Sequence, residues 1–504
     1  MSSSNVPSTN TWSNCIGQQT CHPKYLLYPT SLQDLIDAIR LGRKENLKVR
    51  AVGSGHSFSD VAPTDDILLD PHGMNQVLKV DASLLRDPLK ESSLFAVQSG
   101  ITIRELNLAL DKAGKALINI GAYDGQTLAG AISTGTHGKG ITLGPMASSV
   151  RSLVVVSETG DVYQYEPSNG ITDQDKFATD AAKAGMTLKQ DDDFFQSVVV
   201  CMGCMGLIYS YIIEVVPTYF LIENRTVSSW ENVKTELAMT KGGLLPEVLT
   251  YNRHYEVDIN PYAIKGVHHC IVQTTNEVKT THASGSRGFK NWLAGLLASW
   301  PVAEDVLVDI LNEFPKASPW IVGNALSTLV DVNYIDKSYV VLNIGKVNNI
   351  KGLAMELSFP VDENLVNSID NLFAIFADEA SAKRWYLAGP IALRFVAPSQ
   401  AYLAPQEGRP TCMVELDMIY GVMTGGDLLK SVTQRVISGN PAVRVHWGLD
   451  LDTVTGRQVQ MRYGKYSKWL AVYRQLNSTG MFNSVFTDRL GISVDPNSNT
   501  AKLT

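Results

Sequence analysis

Val49-Arg-Ala-Val-Gly-Ser-Gly-His-Ser-Phe-Ser-Asp60 runs a short apolar strand into a glycine turn. Val49 to Val52 has the character of a buried strand. Gly53-Ser54-Gly55 can turn with positive φ and bring bare backbone close to a ligand. Successive N–H groups in such a turn make a nest for an anion such as a pyrophosphate. Ser57 and Ser59 add hydroxyl donors. The turn lacks the third glycine, and the acidic residue about 20 positions on, that mark a nicotinamide-type dinucleotide turn. A second stretch, Gly125-Gln-Thr-Leu-Ala-Gly-Ala-Ile-Ser-Thr-Gly-Thr-His-Gly-Lys-Gly140, holds five glycines, three threonines and one serine in sixteen residues. With few bulky side chains it suits backbone contact with a flat, extended ligand. A third, Gly203-Cys-Met-Gly-Leu-Ile208, leads into a strand from Tyr209 to Val216.

Around these turns the chain alternates helix and strand. Leu32 to Leu41 has helical apolar spacing, with Ser31 or Thr30 as N-cap. Ile67 to Leu69, Leu94 to Val97 and Leu153 to Val156 read as strands, and Ile101 to Ala113 as a helix. After Val216-Pro217 the strand candidates lengthen: Val267 to Gln273, Ser338 to Leu342, Ala354 to Phe359 and Thr411 to Met418. Helices are expected around 289–312, 363–378 and 467–475. The pattern implies an α+β protein with an antiparallel sheet in its second half. Units are expected at 1–215 and 216–450, with 451–504 returning to the first.

The chain has 504 residues, 44% hydrophobic and 18% charged, a globular composition. Its net charge of −7 argues against nucleic-acid binding and polybasic membrane anchoring. No window approaches the ~20 apolar residues of a membrane span. Met1 to Thr11 is polar, without a secretory core, so a cytoplasmic protein is expected. Six cysteines are too few for a disulfide framework. Cys201 and Cys204 sit in apolar, glycine-rich sequence and read as small buried residues. Cys15 and Cys21 could pair if the protein is exported. His22, His268 and His269 stand apart from other metal-binding residues. Trp292, Leu296, Leu297 and Trp300 form an apolar helix face, read as core or subunit packing. Nothing resembles a nucleophile elbow or a P-loop lysine.

GSGHSFSD at 53–60 followed by GQTLAGAISTGTHGKG at 125–140 resembles the FAD-binding domain of the vanillyl-alcohol oxidase superfamily. PIALRFVAPSQAYLAPQEGRPTC at 390–412, Val445-His-Trp-Gly448 and Met481-Phe-Asn483 resemble aldonolactone and alditol oxidases. The resemblance implies a two-subdomain FAD-binding domain at 1–215 and an α+β substrate, or cap, domain at 216–450. It places His56 where the family attaches the flavin 8α-methyl, so FAD is expected to be covalent. With no cysteine at 121–140, a second attachment is not expected. Gly53, Ser54, Gly55, Ser57, Ser59, Thr127, Ser133, Thr136, His137, Gly138 and Ile208 are implied to line the FAD. His446 is implied to lie at the flavin pyrimidine edge.

The sequence departs from the family in the substrate pocket. The family's Glu two residues before its Arg is Ala392, while the Arg survives as Arg394. Its Lys after H-W-G is Leu449. Its Gln in Q-S-E-Y is Ala354, while Glu356 survives. Along Cys412 to Met418, Met413, Glu415 and Asp417 share one strand face, and the others share the opposite face. Beside Arg394, two carboxylates can hold a base, like charges raising one pKa and the Arg lowering both. The expected reaction is hydride transfer from a CH–OH or CH–NH carbon to FAD. Glu415 or Asp417 takes the proton, Arg394 orients the substrate, Glu356 supports the site, and dioxygen gives hydrogen peroxide. The apolar replacements lead us to expect a substrate other than a simple sugar lactone. Alternatives are a dehydrogenase using another acceptor and a flavin-scaffolded cyclase or isomerase. No subunit stoichiometry is implied.

Overall fold

The computed structural model describes residues 10–180, 183, 185–239, 244–285, 287, 304–344, 351–450 and 452–496. The apolar face at 292–300, and the start of the helix expected from 289, lie outside them.

The GSG turn hangs from a three-stranded parallel sheet. Its strands are β1 (Tyr25–Leu27), β2 (Val49–Ala51) and β3 (Ile67–Leu69), in the order β1-β3-β2. The crossover from β1 to β2 is α1 (Leu32–Glu45), longer than expected at its C-terminus. Ser31 caps α1, and the Asp34 side chain bonds back in a capping box. Leu35, Ala38 and Ile39 face the core, one helical stripe turned inward.

A six-stranded sheet follows. It holds β4 (Val77–Leu78), β5 (Leu94–Gln98), β6 (Val150–Val156), β7 (Val162–Glu166), β8 (Met186–Gln190) and β9 (Leu207–Glu214), in the order β8-β7-β6-β9-β5-β4. Between β5 and β6 lie α2 (Ile103–Lys112), with a Thr102–Glu105 capping box, and the short α3 (Leu128–Ser133) inside the second glycine-rich stretch.

The second half builds an eight-stranded antiparallel sheet. Its strands are β10 (Phe220–Ser229), β11 (His254–Ile259), β12 (His269–Val278), β13 (Asp331–Lys337), β14 (Gly352–Pro360), β15 (Ile391–Val396), β16 (Thr411–Ile419) and β17 (Arg444–Val445). Their order is β13-β10-β12-β11-β15-β16-β14-β17. One face packs on helices such as α4 (Leu365–Lys383), which buries Ile369, Leu372 and Phe376. The other face carries charged residues.

Ser338–Leu342, expected as a strand, is a helical turn. A five-residue apolar run has no readable period, so only its packing decides its form. The last segment forms a helix at Tyr466–Leu476 and returns to the first sheet, where Met481 O accepts from Val49 N at 2.9 Å. All six cysteines are free thiols, including Cys15 and Cys21, and Cys204 Sγ donates to Cys201 O at 2.8 Å. No helix among the described residues is long and apolar enough to cross a membrane.

Candidate active site

Two cavities meet at the end of β2. The narrower, about 120 Å³, runs along Gly53, Ser54, Gly55, Thr127, Ser133 and Ile208. The wider, about 320 Å³, opens onto the charged face of the eight-stranded sheet and is lined by Thr136, His137 and His446. His56 and Ser57 line both, so one extended ligand can pass from one to the other. The narrow cavity needs its glycines: a Cβ on Gly53 would lie 2.2 Å from Thr127 Oγ1. Arg50 Nε and Thr136 Oγ1, on residues of the two walls, have no hydrogen-bond partner among the described residues. A bare-backbone cradle with orphaned donors fits the phosphates and ring of FAD.

Ser59 and Gly138 line neither cavity. Ser59 Oγ instead donates to Trp447 O at 2.7 Å, and with Phe58 N donating to Gly448 O at 2.7 Å this ties the His56 turn to the His446 loop. Gly138 is a packing requirement, since its Cβ would sit 2.0 Å from Asn119 Oδ1. A serine after a glycine turn has several backbone acceptors within reach, and sequence does not show which one it takes.

His56 projects from the turn after Gly55, whose φ is +63°. Its ring lies 4.2 Å from that of Tyr123, and Nδ1 is 3.6 Å from Cys15 Sγ. Burial lowers its pKa to about 4, so the imidazole is neutral near pH 7 and keeps a lone pair.

The glycine-rich stretch is pinned to the sheet where Gly140 N donates to Phe395 O at 2.6 Å. That contact sets His137 and Lys139 over the charged face. His137 Nε2 is 3.1 Å from both Glu356 carboxylate oxygens, and Nδ1 is 2.7 Å from Gly138 O. Both ring nitrogens face acceptors, the arrangement of an imidazolium. Burial alone would lower the His137 pKa, but the Glu356 charge raises it. Burial opposes ionisation of Glu356 in turn, and His137 holds its pKa low. His446 stays neutral, burial pushing its pKa to about 4.

Register aligns the remaining groups. Glu256 on β11 lies opposite Arg394 on β15, and Asp258 opposite Ala392. Ala392 lies opposite Glu415 on β16. On β14, Glu356 faces Glu415 and Ala354 faces Asp417. Directly opposed residues share a face, so Glu356, Arg394, Glu415 and Asp417 all line the wide cavity. Arg394 binds Glu256 through Nε at 2.7 Å and Glu415 through Nη1 in a close ion pair, with Glu356 3.9 Å away. Lys139 grips Glu256 from the other side. Burial works against ionising Glu256, yet the two cations hold its pKa far below the usual carboxylate range.

Sequence reasoning missed Lys139, Glu256 and Asp258. Lys139 lies inside the quoted glycine-rich stretch, a lone cation among small residues. In His254-Tyr-Glu-Val-Asp-Ile259 the carboxylates alternate with apolar residues, the signal of a strand with one polar face.

A family profile described as FAD binding domain matches residues 23–165, and one described as D-arabinono-1,4-lactone oxidase matches residues 212–490. Over 479 residues the chain is 26% identical to the L-gulono-1,4-lactone dehydrogenase of Mycobacterium tuberculosis, covering 95% of this chain and 98% of that one. It is 32% identical over 226 residues to the L-gulonolactone oxidase of Mus musculus, covering 45% of this chain and 44% of that one. The crystal structure of cholesterol oxidase from B. sterolicum shares the fold, with a TM-score of 0.70 at 13% identity over 95% of this chain and 96% of that one.

The expectation of a substrate other than a sugar lactone is not borne out, since these sequence relatives are named for gulonolactone. Ala354, Ala392 and Leu449 do not make the pocket apolar. Lys139, Glu256 and Asp258 bring polar groups to it from elements that carry no substrate motif.

Proposed function

Since this chain belongs to the D-arabinono-1,4-lactone oxidase family, we propose that it oxidises an aldono-1,4-lactone at a carbon bearing a hydroxyl group. It is an FAD-dependent oxidoreductase. The observation that carries the substrate reading is the charged sheet face around Arg394, which opens on the same cavity as His56. FAD, when bound, accepts the substrate hydride. Gly53, Ser54, Gly55, Thr127, Ser133 and Ile208 would hold its phosphate-bearing part. Ser57, Thr136, His137 and His446 would hold its ring. His56 is the proposed covalent attachment, supported by its place at the junction and its neutral imidazole. In this reading residues 1–215 and 451–504 hold FAD, and 216–450 hold the substrate.

Arg394 binds the substrate oxygen and stabilises the negative charge that grows there as its proton leaves. Glu415 or Asp417, on the same strand face, takes that proton. Glu356 keeps His137 cationic, a second positive group in the wall. Glu256 fixes the Arg394 guanidinium through Nε. Dioxygen is the proposed electron acceptor, and hydrogen peroxide the product.

The test mixes the purified flavoprotein anaerobically with L-gulono-1,4-lactone or D-arabinono-1,4-lactone. Bleaching of the flavin absorbance is the expected outcome, and its absence with both lactones rejects the substrate class. Peroxide on admission of air supports the oxidase. Bleaching without peroxide assigns another acceptor, as the name of the mycobacterial relative suggests. After acid precipitation the yellow colour should stay in the pellet, and His56→Ala should release it.

A further inference from the structure

The polar wall of the wide cavity contains one carboxyl group that the mechanism above leaves unused. Glu256 is held by Lys139 and Arg394, Glu356 by His137, and Glu415 by Arg394. Asp258 also lines the cavity, two residues along β11 from Glu256 and on the same face. Its carboxylate has no hydrogen bond or ion pair among the described residues. Its cross-strand neighbours are Ala392 and Ile271, and neither can offer a hydrogen bond from its side chain. A carboxyl group facing a cavity without a protein partner is placed to meet a ligand.

We propose that Asp258 is a specificity-determining residue of this site, hydrogen-bonding a hydroxyl group of the sugar lactone other than the one oxidised. The inference rests on the lactone reading above and adds the group that recognises the remainder of the substrate. A hydroxyl both donates and accepts, and a protonated carboxyl does the same. Burial first, and then the Glu256 charge, raise the Asp258 pKa to about 7, against the pull of Arg394, Arg225 and Lys139. The other groups around it are Cys270 on β12, itself raised by burial and by Asp258, and Glu415 two strands away. Below pH 7 Asp258 is therefore a donor and an acceptor. Above pH 7 it is an acceptor only, so it takes a charge-assisted bond from a lactone hydroxyl but no longer donates one.

The experiment measures anaerobic flavin reduction against lactone concentration for the FAD-loaded wild type, Asp258→Ala and Asp258→Asn, from pH 5.5 to 8.5. Flavin absorbance checks that each variant keeps its cofactor. In Asp258→Ala the half-saturating concentration should rise about tenfold, the equivalent of one hydrogen bond, with the limiting rate changed by less than about threefold. Asp258→Asn, which also donates and accepts, should keep affinity at low pH and lose the pH dependence near 7. An unchanged saturation curve and pH profile in Asp258→Ala overturns the proposal. If neither lactone reduces the wild-type flavin, the substrate reading fails, and infrared difference spectra then decide the residue's part. A protonated-carboxyl band that titrates near pH 7 and vanishes in Asp258→Asn keeps Asp258 as the site's free acid, and its absence overturns that as well.

Discussion

Arg394 carries its charge in a fork, and the fork is in use: Nε holds Glu256 and Nη1 holds Glu415. Arg394→Lys keeps one charge but loses this planar geometry. Flavin reduction by lactone should fall about 10²- to 10³-fold, the range for removing one preorganised donor from growing negative charge. Stopped-flow reduction rates measure it, and a fall below threefold removes Arg394 from the charge-stabilising role. His137 and Glu356, both buried, present a different balance. Without Glu356, burial returns His137 to the neutral imidazole, so what is lost is a charge-assisted hydrogen bond, about 1.5–3 kcal/mol. Glu356→Gln should therefore lower stability by that order at neutral pH, read by thermal melting. The pH dependence follows from the signs of the shifts. Glu256 and Glu356 have lowered pKa values, so their stabilisation is complete above the ordinary carboxylate range and fades as pH falls through the folded values. His137 is raised, so its share is complete below the ordinary histidine value and fades as pH rises through the folded one. The acid limb of the wild-type melting profile should be shallower in Glu356→Gln.

At the scale of elements, short-range chemistry marks helix starts well. Ser31 and Asp34, and Thr102 and Glu105, close capping boxes at the starts of α1 and α2. Ser31→Ala should destabilise by about 1 kcal/mol, a shift visible in a urea melt. The helix C-termini were harder to place, because α1 continues through the polar residues Arg43 to Glu45 that carry no apolar period. The glycine turns were legible as ligand-approach segments, but not which glycine serves a ligand and which serves packing. Gly53 stands in the cradle, whereas Gly138 stands against Asn119. Gly53→Ala should release FAD and also lower the melting temperature of the apoprotein, because its Cβ would meet Thr127 Oγ1 at 2.2 Å. Gly138→Ala should destabilise by about 1–3 kcal/mol through overpacking. If Gly138→Ala also releases FAD from the folded protein, the two roles are not separate.

Across the whole molecule, Arg489 near the C-terminal end reaches back to the turn after β2. Its Nη2 is 2.8 Å from Asp60 Oδ1, its Nη1 is 3.1 Å from Asp450 Oδ2, and Asp452 lies 3.8 Å away. Burial and the Asp60 charge raise Asp452 to about 6, and Asp450 is raised by burial as well. Arg489→Ala would leave three carboxylates facing one another, so the melting temperature should drop more at pH 7.5 than at pH 5, where protonation relieves the repulsion. An equal drop at both pH values would show that Arg489 acts by packing alone.

The sequence by itself determined the α+β class, the GSGHS turn, the glycine-rich stretch and the strand that carries Glu415 and Asp417 on one face. These are local properties, carried by backbone permissiveness, apolar period and side-chain alternation within a few residues. Tertiary structure alone decided which strands lie side by side. That order placed Glu256 opposite Arg394, set Asp258 beside the small Ala392 and swung Lys139 onto Glu256. Residues 139, 256 and 394 meet because sheet register and one backbone bond, Gly140 N to Phe395 O, bring distant segments together. Ion pairs and pKa shifts depend on such distances, and no spacing along the chain encodes them.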